Sequence, residues 1–344
     1  PQIAAMADTE FTVEKRVENG RTYTSVLRLD NAGRQQELAR LTGGSMIPET
    51  TLAGAAELLA ARAWLYELAH KCLGGEPSRE LLAELCGPYT RAAVSAYAQD
   101  CEQMVGLAKL LDELVAQDAD CVLDAVHDEY TRVFEGPGAL PAPPYRAPYT
   151  GSRDAALFQQ ATLDVRALYR AQGLRMRREQ AVPDDHVAAL LDFAARRAAA
   201  LFDAFAAGDA GFADAARAQH EMVQGYLADW LGEYARLVRN SRAGSHAVLY
   251  SQLLEAIAAF TQIDSVFLGE VAYWFEQVAE SGRKSDGERA AEDAGDGKRV
   301  AACVASACGT GSAAELREAA RQLSGLRLAG LADNELTELD RLEG

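Results

Sequence analysis

Glu129-Tyr-Thr-Arg-Val-Phe134-Glu-Gly136-Pro137-Gly138-Ala-Leu-Pro141-Ala142-Pro143-Pro144-Tyr145-Arg146-Ala-Pro148-Tyr149 interrupts a chain whose pattern is otherwise one helix after another. Four prolines fall between Pro141 and Pro148. Each fixes φ and removes a backbone donor, so this stretch runs extended and PPII-like. Tyr130, Phe134, Tyr145 and Tyr149 flank it. A stiff loop with aromatic faces loses little entropy on binding and suits recognition of an extended peptide. The same residues also suit a plain rigid connection between helices, with the aromatics plugging the core.

On either side of this loop, from about residue 51 to 280, Ala, Leu, Arg and Glu dominate, all good helix formers. A helix is expected from about Leu52 to Leu73, stopped by Gly74-Gly75. Another starts after Pro77-Ser78, and a third runs from near Asp118 to Phe134. Beyond the loop, Ser152 is placed to cap a helix ending at Gly173. Asp184 or Asp185 is placed to cap a long helix through about Ala206. Further helices are expected over roughly 212–238, 246–261 and 264–279. Leu190, Phe193, Leu201 and Phe205 recur at helical spacing and mark a buried face.

The ends of the chain differ. Phe11–Val17 and Arg21–Leu29 alternate apolar or β-branched residues with polar ones around Asn19-Gly20, a pair that tolerates the positive φ of a hairpin turn. Residues 281–298 are polar and Gly-containing and predict a flexible linker. Arg299–Cys303 suggests a short strand, and Ala313–Leu323 an amphipathic helix. The expected organisation is a β-hairpin piece over 1–54, an all-helical domain over 55–280, a linker over 281–298, and a small α/β tail, whole or cut short, over 299–344. The fold class is mainly α.

The chain has 344 residues, 49% of them hydrophobic, and a net charge of −17. That charge argues against nucleic acid and anionic membranes as partners and favours basic ones, or else simply keeps the protein dissolved. No run of 18 apolar residues occurs, so stable membrane insertion is not expected. The opening Pro1-Gln2-Ile3 has no basic region and is not read as a signal peptide. The six cysteines are no disulfide framework, and a reducing cytoplasm is the expected location.

A second information-bearing stretch is Pro183-Asp184-Asp185-His186-Val-Ala-Ala-Leu190-Leu191-Asp192-Phe193. It sets two carboxylates and an imidazole at a helix start, where the macrodipole favours Asp and disfavours charged His. Asp185 and His186 fit an acid–base pair or, alternatively, a cap beside a hydrogen-bonded His. The other histidines are scattered, and neither His-Glu-x-x-His nor Gly-x-Ser-x-Gly occurs. No catalytic residue and no cofactor is assigned, and the chain is read as a non-enzyme. Cys303-Val-Ala-Ser-Ala-Cys308 offers a metal-ligand candidate in Cys303 and Cys308, with reduced thiols as the alternative.

Together the two stretches resemble the TorD/DmsD family of redox-enzyme maturation chaperones. The resemblance rests on Tyr130, Phe134, Gly136-Pro137, Pro141-Ala142-Pro143-Pro144 and Tyr149, then on Asp185-His186 with Leu191 and Phe193, and on Tyr226-Leu227-x-x-Trp230. Tyr145, Arg146, Pro148 and Tyr226 depart from the usual Trp, Glu, Val and His. The resemblance implies an all-helical cytoplasmic chaperone without catalytic activity. Its implied partner is the precursor of a molybdopterin oxidoreductase catalytic subunit with its twin-arginine signal peptide, held during cofactor insertion. The implied peptide-binding residues are Tyr130, Phe134, Pro141, Pro143, Pro144, Tyr145, Tyr149, Asp184, Asp185, His186, Asp192 and Trp230. Asp184, Asp185 and Asp192 are the expected partners of the arginines.

Residues 1–61 resemble the C-terminal end of RecN-type DNA-repair ATPases through Pro1-Gln2-Ile3-Ala4, the hairpin, Gln36–Gly44 and Thr51–Ala55. No Gly-x-x-x-x-Gly-Lys-Ser/Thr loop occurs, so no ATPase activity is expected. The seam between the two resemblances is expected near Ala60-Ala61, as in a fragmentary or fused reading frame. Residues 299–323 weakly resemble half of a thioredoxin-like [2Fe–2S] ferredoxin. The alternatives to a chaperone are a redox or iron–sulfur accessory protein using Cys303 and Cys308, and a fused fragment without function.

Overall fold

The computed structural model describes residues 11–18, 21–28, 49–98, 101–135, 140, 142–150, 160–178, 181–241, 248–285, 304, 306, 308–309, 311–326 and 337–342. The hairpin forms as the alternation predicts. β1 (Phe11–Glu18) pairs antiparallel with β2 (Arg21–Arg28), from Phe11 opposite Arg28 to Glu18 opposite Arg21. That register leaves a two-residue connection at Asn19-Gly20, which itself lies outside the described residues.

The rest is mainly helical, as expected. α1 (Glu49–Gly74) is followed by α2 (Arg79–Leu85), α3 (Pro88–Tyr97), α4 (Glu102–Val115) and α5 (Ala119–Tyr130). Ser78 Oγ accepts the Leu81 N–H at 3.1 Å, and Asp118 caps α5 through the N–H groups of Asp120 and Cys121. A π turn, Thr131–Glu135, extends α5 towards the proline loop. The short α6 (Ala147–Thr150) and α7 (Gln160–Ala171) come next. α8 (Val187–Ala207) ends at Gly208, whose left-handed φ of 65° suits glycine. α9 (Phe212–Val223) continues into a second π turn, Gln224–Ala228. α10 (Leu231–Asn240), α11 (Tyr250–Ser285) and α12 (Gly311–Ser324) complete the helices.

α1 and α8 form the central pair, buried on every face from Leu59 to Leu73 and from Val187 to Ala195, while Arg196, Ala200, Asp203 and Ala207 further along α8 face solvent. Trp64, Tyr66 and Leu59 of α1 and Leu190, Leu191 and Phe193 of α8 are closed off from solvent. A helix apolar all round belongs in the interior, and the other helices wrap these two. α1 runs without a break across residue 54 and across the fully buried pair Ala60-Ala61. The boundary expected at 54 and the seam therefore fall inside one packed helix.

One charged cluster ties the bundle together. Arg62 of α1 makes a two-pronged contact with Asp264 of α11 at 2.9 and 3.1 Å, and donates to Gln219 of α9 at 2.8 Å. Tyr66 donates to the same carboxylate at 2.7 Å and Tyr97 of α3 at 3.4 Å. Every member is buried, so the charges stabilise only as a fully paired set.

Several expectations are corrected. The two helices expected over 246–261 and 264–279 are one, α11, because Thr261 and Asp264 are buried in its packed face rather than marking a break. Glu129 opens that helix by accepting the Val248, Leu249 and Tyr250 N–H groups at 2.7, 2.7 and 2.8 Å. α11 also runs to Ser285, into the stretch expected to be a linker from 281. The sequence pattern does not predict a further pair of short strands: β3 (Leu174–Met176) and β4 (Leu339–Arg341) form a two-stranded antiparallel ladder. The Ser152 cap and the Arg299–Cys303 strand lie outside the described residues. No described helix is long and apolar enough to cross a membrane.

Candidate functional site

The proline loop is sewn onto the start of α8. Pro144 offers its carbonyl to the Val187 N–H at 2.8 Å, and the Arg146 N–H donates to the Asp185 carbonyl at 3.1 Å. Tyr145 and His186 form an antiparallel bridge, with their rings edge-on at 5.3 Å. A proline-rich segment has few donors of its own, so the N–H groups it retains are used to fix it.

Asp185 is the fastener. Its carboxylate accepts the Ala147 N–H at 2.8 Å and the Thr162 hydroxyl at 2.9 Å, and the residue is fully buried. Asp184 faces elsewhere: it forms a fork-type pair with Arg166 of α7 at 2.7 to 3.2 Å. Neither Asp caps α8. His186 does, its Nδ1 accepting the Ala188 N–H at 3.2 Å. That bond requires a neutral ring, and burial, with His70 nearby, lowers the imidazole pKa to about 4. The Asp185–His186 acid–base pair is therefore not formed, since each group is engaged with other partners.

The aromatic residues fall into two sets. Tyr149 lies 5.2 Å from Trp230 and 6.1 Å from Tyr234, ring to ring, and its hydroxyl donates to the Pro143 carbonyl at 2.9 Å. Trp230 is buried, its indole N–H held by the Tyr226 carbonyl at 2.9 Å across the second π turn. Tyr130 and Phe134 instead pack together at 5.0 Å and against Tyr250 of α11, at 5.7 and 5.1 Å. Pro143, Tyr145, Tyr149 and His186 thus keep some exposure around the loop, with Pro144, Asp185 and Trp230 buried beneath them, whereas Tyr130 and Phe134 anchor the loop's near end. Pro141 lies outside the described residues.

Asp192 belongs to neither set. It pairs with Arg196 on α8 and accepts the Leu339 N–H at 2.7 Å, on the side of the helix facing the C-terminal segment. All three carboxylates expected to meet peptide arginines are buried and already paired inside the chain.

Arg146, marked in the sequence only as a departure from the usual Glu, is a site residue absent from the expected set. It donates to the Gly225 carbonyl and to Asp229, both at 2.8 Å, and lies 5.0 Å over the Tyr226 ring. A lone cation among prolines is the available signal. Burial raises the Asp229 carboxyl, and Arg146 opposes that shift. Thr162 and Arg166 carry no local signal, because their partners lie 23 and 18 residues away.

Among the described residues no group of His, Cys, Asp and Glu side chains is placed to hold a metal ion. Cys308 is buried, which pushes its thiol up to about 11, and Cys303 lies outside the described residues.

Part of this helical frame, including the loop and the start of α8, is similar in sequence to known proteins. Residues 96–236 match the family model described as nitrate reductase delta subunit. Among individual relatives, the chain is 36% identical over 72 residues to the Tat proofreading chaperone DmsD of Salmonella typhi, and 35% identical over 72 residues to that of Salmonella typhimurium. Each match covers 21% of this chain and 35% of the relative. It is also 49% identical over 61 residues to the DNA repair protein RecN of Vibrio cholerae, covering 18% of this chain and 11% of that protein. The chain thus spans about a third of the DmsD relatives and about a tenth of RecN.

Proposed function

We propose that the helical domain is a redox-enzyme maturation chaperone that binds the twin-arginine signal peptide of a molybdopterin oxidoreductase precursor at the surface around Pro143–Tyr149 and His186. The observation that carries this reading is the fastening of the proline loop to α8 through Asp185, within the region that matches the chaperone family. A pre-ordered loop has little entropy left to lose when a peptide lies along it. The ring of Tyr145 is half-buried and that of Tyr149 is partly accessible, which leaves apolar faces for the peptide's hydrophobic stretch.

For the arginines, Asp184, Asp185 and Asp192 serve as internal fasteners, and a carboxylate that reaches the loop is that of Asp229, through Arg146. Asp229 is now held by Arg146, so a peptide guanidinium binds there by taking Arg146's place over Tyr226. A cytoplasmic location and the absence of catalysis belong to this reading.

The test is calorimetric titration of the full chain with a synthetic twin-arginine signal peptide beside a twin-lysine control, which keeps the charge but loses the planar fork. Micromolar binding that the lysine control weakens tenfold or more supports the reading, and Asp229→Asn then removes that preference. Equal binding of both peptides, or none, overturns it.

A further inference from the structure

The segment 338–342 is held by backbone hydrogen bonds along both of its edges. Residues 339–341 add to β3 as an antiparallel strand, with Leu174 opposite Arg341 and Met176 opposite Leu339. The ladder is flanked by two more backbone bonds at 2.8 Å, from the Arg177 N–H to the Glu338 carbonyl and from the Leu342 N–H to the Gly173 carbonyl. On the opposite side of the strand, α8 reads the backbone of Leu339 in both directions. Asp192 accepts its N–H at 2.7 Å, and Arg196 donates to its carbonyl at 2.7 Å. Such contacts recognise an extended chain whatever its side chains, as in strand addition to a sheet edge.

Side-chain selection is present too. Leu339 is buried at 1% exposure. Lys71 and Arg177 meet Glu338, and Arg177 also meets Asp340 at 3.0 Å. A cavity of about 360 Å3 adjoins the segment, between α1, α8 and α12, and its walls carry Lys71, Arg177, Arg196, Arg317 and Arg321 beside the carboxylates of Glu67, Asp192 and Glu338. The cations outnumber the carboxylates there, in a chain of net charge −17. The segment that fills the site, Thr337-Glu338-Leu339-Asp340-Arg341-Leu342, sets a carboxylate on each side of its buried leucine.

The fit also has a cost. Thr337 is buried, and its hydroxyl has no hydrogen-bond partner among the described residues. A Cβ on Gly74 would stand 2.9 Å from that hydroxyl oxygen, so the tail sits as near α1 as a glycine allows. An unmade bond lowers the cost of leaving.

We infer that the edge of β3, with Asp192 and Arg196, is a binding site for an extended acidic peptide, and that residues 337–342 are its built-in, releasable occupant. The site is separate from the proline-loop surface and uses acidic rather than basic ligand chemistry, so its test stands or falls independently of the signal-peptide reading.

The experiment uses the full chain and a fluorescein-labelled peptide of the sequence Glu335–Glu343, read by fluorescence anisotropy. In the unaltered chain the tethered tail outcompetes the peptide through its high effective concentration. Leu339→Asp expels the tail, and the peptide then binds at least tenfold more tightly. Adding Arg196→Ala to that variant removes the gain. Equal binding to the unaltered chain and to a folded Leu339→Asp variant overturns the inference. Should that variant not fold, hydrogen exchange on the unaltered chain decides. Leu339 and Leu342 amides that exchange well before that of Leu190 show a tail that leaves without unfolding, and exchange together with Leu190 overturns it.

Discussion

The Asp185 carboxylate accepts the backbone N–H of Ala147 at 2.8 Å, across 38 residues of sequence. That one bond joins the proline loop to the start of α8, and the second oxygen of the same carboxylate secures Thr162 just within α7. Three elements therefore converge on one buried side chain. Asp185→Ala leaves an N–H and a hydroxyl buried without a partner, at a cost of about 1–3 kcal/mol for each such group. Thermal unfolding is expected to show a lower midpoint for Asp185→Ala than for Asp185→Asn, whose amide oxygen still accepts one bond. Identical midpoints for all three chains would contradict the fastening role.

Arg62 and Asp264 are expected to behave as a unit. Arg62→Met strands a buried carboxylate, so urea unfolding should show a loss of about 3–5 kcal/mol. The double change Arg62→Met with Asp264→Leu removes both charges and should lose less than the sum of the single changes. Additive losses would mean that the two groups are uncoupled.

His186 gives a signed pH dependence. Its pKa falls from 6.5 to about 4 on folding, so between those values the unfolded chain binds the proton and the folded chain does not. This contribution to stability is complete above about pH 6.5, declines as pH falls, and is gone below about pH 4. His186→Asn retains an N-cap acceptor and cannot titrate there. The stability difference between about pH 7 and about pH 4.5 is expected to be smaller in His186→Asn than in the unaltered chain, as measured by denaturant unfolding at the two pH values. No change in that difference would refute the assignment.

Trp230 and Tyr149 separate packing from hydrogen bonding. Trp230→Ala empties a fully buried site, and a cost of about 3–5 kcal/mol is expected. Tyr149→Phe keeps the ring against Trp230 and loses only the hydroxyl bond to Pro143, at about 0.5–1.5 kcal/mol. Calorimetric unfolding of the two variants checks the order, and a larger loss for Tyr149→Phe would invert the account.

The bundle is legible in the sequence wherever the signal is local. The hairpin follows from alternation around Asn19-Gly20, and the starts of α2 and α5 follow from Ser78 and Asp118, both of which are caps. At α8 the local rule puts the cap on Asp184 or Asp185, but tertiary partners claim both. Arg166 takes one, Thr162 and Ala147 take the other, and the cap falls to His186. β3 and β4 are invisible because three residues are too few to show a period, and their pairing spans more than 160 residues. The proline loop announces itself through composition. Its attachment does not, because backbone-to-carboxylate bonds leave no pattern in the side chains of the loop.

The two π turns, Thr131–Glu135 and Gln224–Ala228, have a consequence for how this chain tolerates changes in length. Each holds one residue more than an α turn would need, and that surplus rotates the segment after it by about 100° per residue. Deleting a single residue from Gln224–Ala228 would make the helix more regular, yet it would swing Trp230 away from the ring of Tyr149. At these two points the seat of the loop is written in the number of residues rather than in their identity. A substitution can be absorbed there, but a one-residue shortening cannot.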